Sequence, residues 1–319
     1  MLELFYRNPL TIILFRTIYP DLNLRLKAFY IPDSRSPKNL NRKSRHIKAI
    51  NKVDKYQLVI SKLIGDKMNI SIHTLSSEKL PTKNSFVDTL PPSQSDSLKL
   101  IFQPSDIYCS IGFDSYFRYM RKKIKLKYLW NKGVNFKHRN GIYLFDHGQF
   151  HKNRSNIEPL NIDLARSFLN LAQKSVLSKI VSESKLKIER PFLLVLPPSE
   201  HSNPEFFDAF FLYCIQLAKN EDLKIFIKPH RHDLTDYKTK FTDKMFIQSF
   251  NSNIKYMPTE FLLNMDSVKK IIAIPSSSFA FVDPKKTTII CPKNRKLFGK
   301  QYLDQTIFMK HLGLNYIVI

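Results

Sequence analysis

From residue 191 onward the chain alternates short apolar runs with longer amphipathic ones: "PFLLVLPP", then "NPEFFDAFFLYCIQLAKN", then "LKIFIKPH". The first and third have strand length and end in turn residues. The second carries apolar residues at helical spacing, with Pro204 near its first turn, where a missing N–H costs nothing. Further along, "IKYM", a helix "PTEFLLNMD" and the strands "VKKIIAIPSSS" and "TTIICP" continue the pattern. Strands alternating with helices in this way build a parallel sheet, so the second half is expected to be an α/β domain.

The first half carries the same pattern less clearly. Residues 33–55, "DSRSPKNLNRKSRHIKAINKVDK", are polar and basic, and read as a solvated loop followed by a short helix. Residues 76–99 are rich in Ser, Thr and Pro and read as a loop or frayed connection. After them come "LKLIFQ" and "DIYCSIG", then the basic amphipathic "YFRYMRKKIKLKYLW", then "NGIYLFDHG", a buried strand feeding a loop. Loops at the carboxyl ends of strands line the ligand crevice of an open α/β sheet, which places Asp114 and Asp146 at a cleft. A helical stretch, "IDLARSFLNLAQKSVLSKIV", follows, and the expected domains are 1–158 and 159–319.

Composition removes several function classes. No apolar run approaches the ~20 residues that cross a bilayer. The longest near the start, "LTIILF" at 10–15, is stopped by Arg16. A basic n-region and small-residue cleavage site are missing, so the expected location is cytoplasmic. Cys109, Cys214 and Cys291 are odd in number and far apart, which argues against a disulfide framework and a thiolate zinc site. The formal charge is +24. Residues 1–158 hold 28 Lys and Arg against 12 Asp and Glu, a net +16, and the remainder holds 23 against 15, a net +8. Such a field attracts nucleic acid, acidic polysaccharide, nucleotide-sugars or anionic headgroups, although AT-biased coding also raises Lys content.

The chemistry turns on "FIKPHRHD" at 226–233. Two imidazoles in a His-x-His pattern on a strand would share one face, as a metal site needs, but Pro229 and the polar residues after His230 mark the strand as already ended. "DHGQFH" offers a second pair, His147 and His151, without the further ligands of a metallohydrolase. A transferase asks instead for donors to a phosphate at a strand end. His230 follows Lys228 and Pro229 directly after an apolar strand, and "PSSSFAF" at 275–281 closes another strand with Ser276, Ser277 and Ser278. Hydroxyls and backbone N–H groups at such a turn cradle a phosphate, especially where "SSFAFVD" opens a helix.

In this order, "KPH" at 228–230, "PTEFLL" at 258–263 and "SSFAF" at 277–281 resemble the bacterial sialyltransferase and polysialyltransferase group, with "FDHG" at 145–148 matching its acidic-Gly motif. The resemblance implies a GT-B-like α/β fold, two Rossmann-like domains facing a central cleft, with the donor held mainly by the second. It implies Asp146 as the base, His230 as phosphate contact or acid, Glu260 on the ribose, and Ser277 with Ser278 on the phosphate. Lys228 and Ser276 join the donor-nucleotide set, and Asp114 and His147 are acceptor-side candidates. The chain departs from the pattern at Arg231, where the family has Pro, and at His147, where it has an acid.

The expected activity is inverting transfer of an acidic sugar, sialic acid first among them, from a CMP-activated donor to a bacterial surface glycan of capsule or lipooligosaccharide type. An alcohol needs a base to become a nucleophile, and the departing phosphate needs donors where its charge grows. One phosphate is a modest anion that His and Ser can serve, and no Asp-x-Asp motif occupies a plausible donor loop, so neither metal nor cofactor is expected. The CMP-sugar is a substrate. Expected partners are that donor, an anionic glycan or glycolipid acceptor, and anionic inner-membrane lipids met peripherally through "RYMRKKIKLK" at 118–127. Nucleic acid is not expected. Two alternatives stand beside this reading: a related transferase with a donor such as a CDP-polyol, and a non-enzymatic basic protein that binds nucleic acid or a membrane surface.

Overall fold

The computed structural model describes residues 2–32, 44–75, 85–88, 99–101, 142–144, 157–184, 191–198, 203–229, 237, 247–249, 257–274, 279, 281–293 and 313–319. The chain divides into two compact units, Met1–Val176 and Leu177–Ile319.

The first unit is built on a seven-stranded sheet of β1 (Glu3–Tyr6), β2 (Leu26–Tyr30), β3 (Ile70–Thr74), β4 (Phe86–Val87), β5 (Lys99–Ile101), β6 (Ile142–Leu144) and β7 (Ile157–Pro159). The strand order is β3-β2-β1-β4-β5-β6-β7 and every pairing is parallel. The order reverses between β1 and β4, which makes that gap the topological switch point of a doubly wound sheet. Helix α1 (Leu10–Ile18) starts four residues after β1 and is buried continuously from Leu10 to Arg16. Its apolar residues face neighbours all round, as a helix with no solvent face must. Phe15 lies 5.0 Å, centroid to centroid, from Phe86 of β4.

Helix α2 (Ser44–Met68) is 25 residues long, where the sequence suggested a loop and a short helix. Val53, Ile60, Ile64 and Met68 form its buried stripe, but Asp54, Gln57 and Ser61 are buried beside them. This polar interleaving hides the stripe from a periodicity argument. The Tyr30 hydroxyl donates to Asp54 Oδ1 at 2.9 Å, satisfying one of those polar groups inside the unit. Near the other end of α2, a Cβ added at Gly65 would sit 2.6 Å from the Ile70 carbonyl oxygen. Glycine is therefore what lets the helix lie this close to β3.

Helix α3 (Ile162–Ser184) carries the division between the units, and its buried residues Ala165, Phe168, Leu169, Ala172 and Val176 all belong to the first. The sequence expectation set the domain change just ahead of this helix.

The second unit holds a six-stranded sheet of β8 (Phe192–Leu196), β9 (Lys224–Ile227), β10 (Ile247–Ser249), β11 (Val268–Ala273), β12 (Thr287–Cys291) and β13 (Asn315–Val318). It is again wholly parallel, in the order β10-β9-β8-β11-β12-β13, with its switch point between β8 and β11. Helix α4 (Pro204–Asn220) begins with Pro204 in its first turn, and the Asn203 side chain accepts from Phe206 N at 3.1 Å as its N-cap. Phe206, Phe207, Phe210, Phe211, Cys214 and Ala218 turn one face toward Leu193, Val195, Ile225 and Ile227 of the sheet. Each buried Phe contributes roughly 1.5–3 kcal/mol, so this face fixes the helix firmly on the sheet. Met257 precedes helix α5 (Glu260–Leu263).

Candidate functional site

The candidates of the second unit lie in consecutive strand-to-strand connections. Strand β9 ends at Ile227, two positions before Pro229, as the polar residues that follow suggested. Lys228 N still donates to Val195 O at 2.9 Å, which extends the β8–β9 ladder by one residue and fixes the Lys228 backbone at the carboxyl end of the sheet. The Lys228 side chain is 6% exposed. Pro229 is buried behind it, so the start of the motif is held by both ladder and ring.

Glu260 is the first residue of α5, in the crossover that leaves β10 and returns to β11. Its single turn is closed on one carbonyl: Leu262 N and Leu263 N both donate to Thr259 O, at 2.8 and 3.2 Å. Glu260 is 7% exposed, and Phe261, Leu262 and Leu263 are buried with it. A carboxylate in the first turn suits the helix polarity, but burial of its charge requires partners. Among the described residues of the second unit, Lys228 and Glu260 are the buried side chains that bear a formal charge.

The next connection is tied to α5 directly. Asn264, which closes the helix, donates from Nδ2 to Phe281 O at 3.1 Å. Phe281 stands three positions beyond Ser278, so this bond joins the Glu260 segment to the segment that follows the serine run. Phe279 and Phe281 lie in a tight 3-10 turn, with Val282 N donating to Phe279 O at 3.3 Å. Asp283 then caps a three-residue 3-10 helix, Pro284–Lys286, and β12 begins at Thr287. The described part of "SSFAFVD", Phe279 and Phe281–Asp283, shows 3-10 turns. Only 13 residues link β11 to β12, and Pro284 interrupts them. Any phosphate cradle here would rest on local N–H and hydroxyl donors, not on a helix macrodipole.

Asp114, Asp146, His147, His230, Ser276, Ser277 and Ser278 lie outside the described residues, as do His151, His232, Cys109 and the basic stretch 118–127. Asp146 follows β6 by two positions in the chain. Cys214 and Cys291 are both buried, and burial pushes the Cys214 thiol far above its usual range. Among the described residues no group of three or more His, Cys, Asp or Glu could hold a metal ion, and no helix is long and apolar enough to cross a membrane.

The first unit presents a residue that the sequence reading missed. Asp88 follows β4 inside the Ser/Thr/Pro-rich stretch expected to be a loop. Its backbone N–H donates to Phe5 O at 3.1 Å, continuing the β1–β4 pairing. One carboxylate oxygen, Oδ2, accepts from Arg7 N at 2.8 Å, Asn8 N at 3.1 Å and Thr11 Oγ1 at 2.9 Å. This buried carboxylate sits at the switch point, against the turn that joins β1 to α1. Tyr6, the last residue of β1, has its phenol pushed upward, chiefly by burial, with the Asp88 charge adding to the effect against a contact from Ser61.

The sequence matches no family model and no curated protein. Among solved structures, the chain is similar to a sialyltransferase from Photobacterium damsela, at 11% identity and a TM-score of 0.47, over 100% of this chain and 81% of that one. It is also similar to an α/β-galactoside α-2,3-sialyltransferase from the luminous marine bacterium Photobacterium phosphoreum, at 12% identity and a TM-score of 0.44, over 99% and 98% of the two chains. A third is a Photobacterium 2,6-sialyltransferase in a ternary complex with the donor product CMP and the acceptor substrate lactose, at 12% identity and a TM-score of 0.43, over 99% and 78%.

Proposed function

We propose that this chain is a glycosyltransferase that moves an acidic sugar, sialic acid, from a CMP-linked donor to a bacterial surface glycan, with inversion and without a metal. The observation that carries the reading is the burial of two charged side chains in the second unit. Lys228 and Glu260 are 32 positions apart and were selected from motif order alone, and both bear charge inside the same α/β unit. Lys, Glu, Arg and Asp are almost never fully buried unless they are paired or at work. Support also comes from the sheet itself, whose parallel order and switch point are those of nucleotide-binding α/β domains.

In this reading the acceptor hydroxyl gives its proton to Asp146 as its oxygen bonds to the anomeric carbon, on the face opposite the departing CMP. The bond from that carbon to the phosphate oxygen breaks, and the charge gained by the phosphate is met by His230 and by Ser276, Ser277 and Ser278. Glu260 takes the ribose hydroxyls and Lys228 the phosphate side. The basic surplus attracts the anionic donor and acceptor.

The test is thermal stabilisation by nucleotides. CMP is expected to raise the melting temperature while CDP, UDP and GDP do not, and Glu260→Gln or Lys228→Met should weaken CMP by about tenfold, near 1.4 kcal/mol. Transfer from CMP-sialic acid should persist in EDTA. Stabilisation by CDP alone would move the chain to the polyol-phosphate transferases. Salt-sensitive DNA binding with no nucleotide effect would make it a non-enzymatic binder.

A further inference from the structure

We propose that Asp88 is an internal anion occupying the place where the first unit's strand-to-helix turn would otherwise accept an oxyanion. The turn after β1 has the ingredients of such a site: it lies at the switch point, and α1 begins within a few residues of the strand end. Its donors are nevertheless committed. Arg7 N, Asn8 N and the Thr11 hydroxyl all point to Asp88 Oδ2. Within the turn, Leu10 N donates to Asn8 Oδ1 at 3.1 Å, Thr11 N to Asn8 O at 2.9 Å and Ile12 N to Pro9 O at 3.1 Å. The charge that a bound phosphate would bring is already supplied by the chain, on a side chain 9% exposed. Asp88 thus sets specificity: it closes the first unit's crevice to phosphate and leaves it for ligands without one. This deepens the transferase reading but rests on geometry of its own.

The consequence is that deleting the carboxylate should create a small-oxyanion site. In the full chain, Asp88→Ala should lose amide protection in peptides spanning residues 7–12, read by hydrogen–deuterium exchange, and formate or inorganic phosphate should restore it saturably. Chloride at equal ionic strength should not. Asp88→Asn, which fills the same space without the charge, should lose protection that neither anion restores. If Asp88→Ala does not fold unaided, its refolding yield from urea should rise several-fold with formate over chloride. Protection that is unchanged in Asp88→Ala, or a response to formate and phosphate no greater than the parent's in both readouts, would overturn the proposal. CMP stabilisation measured on the same variants keeps the two readings apart, since its absence would count against the donor site while leaving anion rescue at Asp88 intact.

Discussion

Replacing Arg16 by Met should destabilise the first unit severely. The Arg16 side chain is fully buried, and its guanidinium donates from Nη1 to Tyr19 O and Asp21 O at 3.0 and 2.7 Å. From Nη2 it reaches Leu24 O at 3.0 Å, Asn69 O at 3.3 Å and Met68 O. One cation thus closes the C-terminal ends of α1 and α2 and the turn that feeds β2, where the helix dipoles favour positive charge. Hydrogen bonds to a charged donor are worth roughly 1.5–3 kcal/mol each, but the freed carbonyls regain some of this from water. A buried carbonyl left without its donor costs roughly 1–3 kcal/mol, so several of them set an expected loss of about 3–5 kcal/mol for Arg16→Met. At a urea dependence of roughly 1–3 kcal/mol per molar that is a fall of about 1–5 M in midpoint. Arg16→Lys is the sharper test. It keeps the charge but offers three N–H groups from one point, which cannot reach both ends of the cluster, so a loss of about 2–4 kcal/mol is expected. Urea unfolding followed by far-UV circular dichroism measures both. A lysine variant within about 0.5 kcal/mol of the parent, the usual range for an exposed substitution, would refute the claim that the fork geometry matters.

Two further expectations concern packing. Gly65→Ala forces a methyl group within 2.6 Å of the Ile70 carbonyl oxygen and of Ile72 Cγ1, so α2 or β3 must move. A loss of about 1–3 kcal/mol is expected in the same unfolding assay, whereas an unchanged midpoint would show that the contact relaxes freely. Cys214, enclosed in the core against α4's phenylalanines and held as the neutral thiol by burial, should resist thiol reagents in the native protein. Its modification, located by mass spectrometry, should become fast only in urea; fast labelling under native conditions would contradict the packing of this core.

How far the sequence could be read depended on how plainly each segment announced its burial. "FLLVL", "KIFI", "VKKIIA" and "TTIIC" are continuous or nearly continuous apolar runs, and each is a strand in the structure. The first unit is built from mixed segments. In α2, buried Asp54, Gln57 and Ser61 interrupt the apolar stripe, so a 25-residue helix read as a loop followed by a short helix. Arg16 looked like the polar end of an apolar run, yet it lies at the centre of a hydrogen-bonded cluster. Asp88 was hidden in a Ser/Thr/Pro-rich stretch because its strand, β4, is only two residues long and is held by its neighbours on both sides. Of the candidate site, Lys228 and Glu260 stand on described backbone, where ladder and helix bonds explain their positions.

The strand orders also bear on how the chain acquires its fold. Among the described strands, each sheet extends to both sides of its first strand, β1 or β8, and in each sheet every pairing but one joins strands consecutive in sequence. The exceptions are β1 with β4, where Leu4 stands beside Phe86, and β8 with β11, where Leu194 stands beside Ile271. Consecutive pairings close crossovers of 11 to 40 residues, whereas these two close 79 and 71, at a larger entropic cost. The switch points are therefore the pairings of greatest sequence separation in each sheet, which contact order predicts to form late. In the first unit that late seam is sewn by Asp88, whose carboxylate and backbone bonds reach across it to Phe5, Arg7, Asn8 and Thr11.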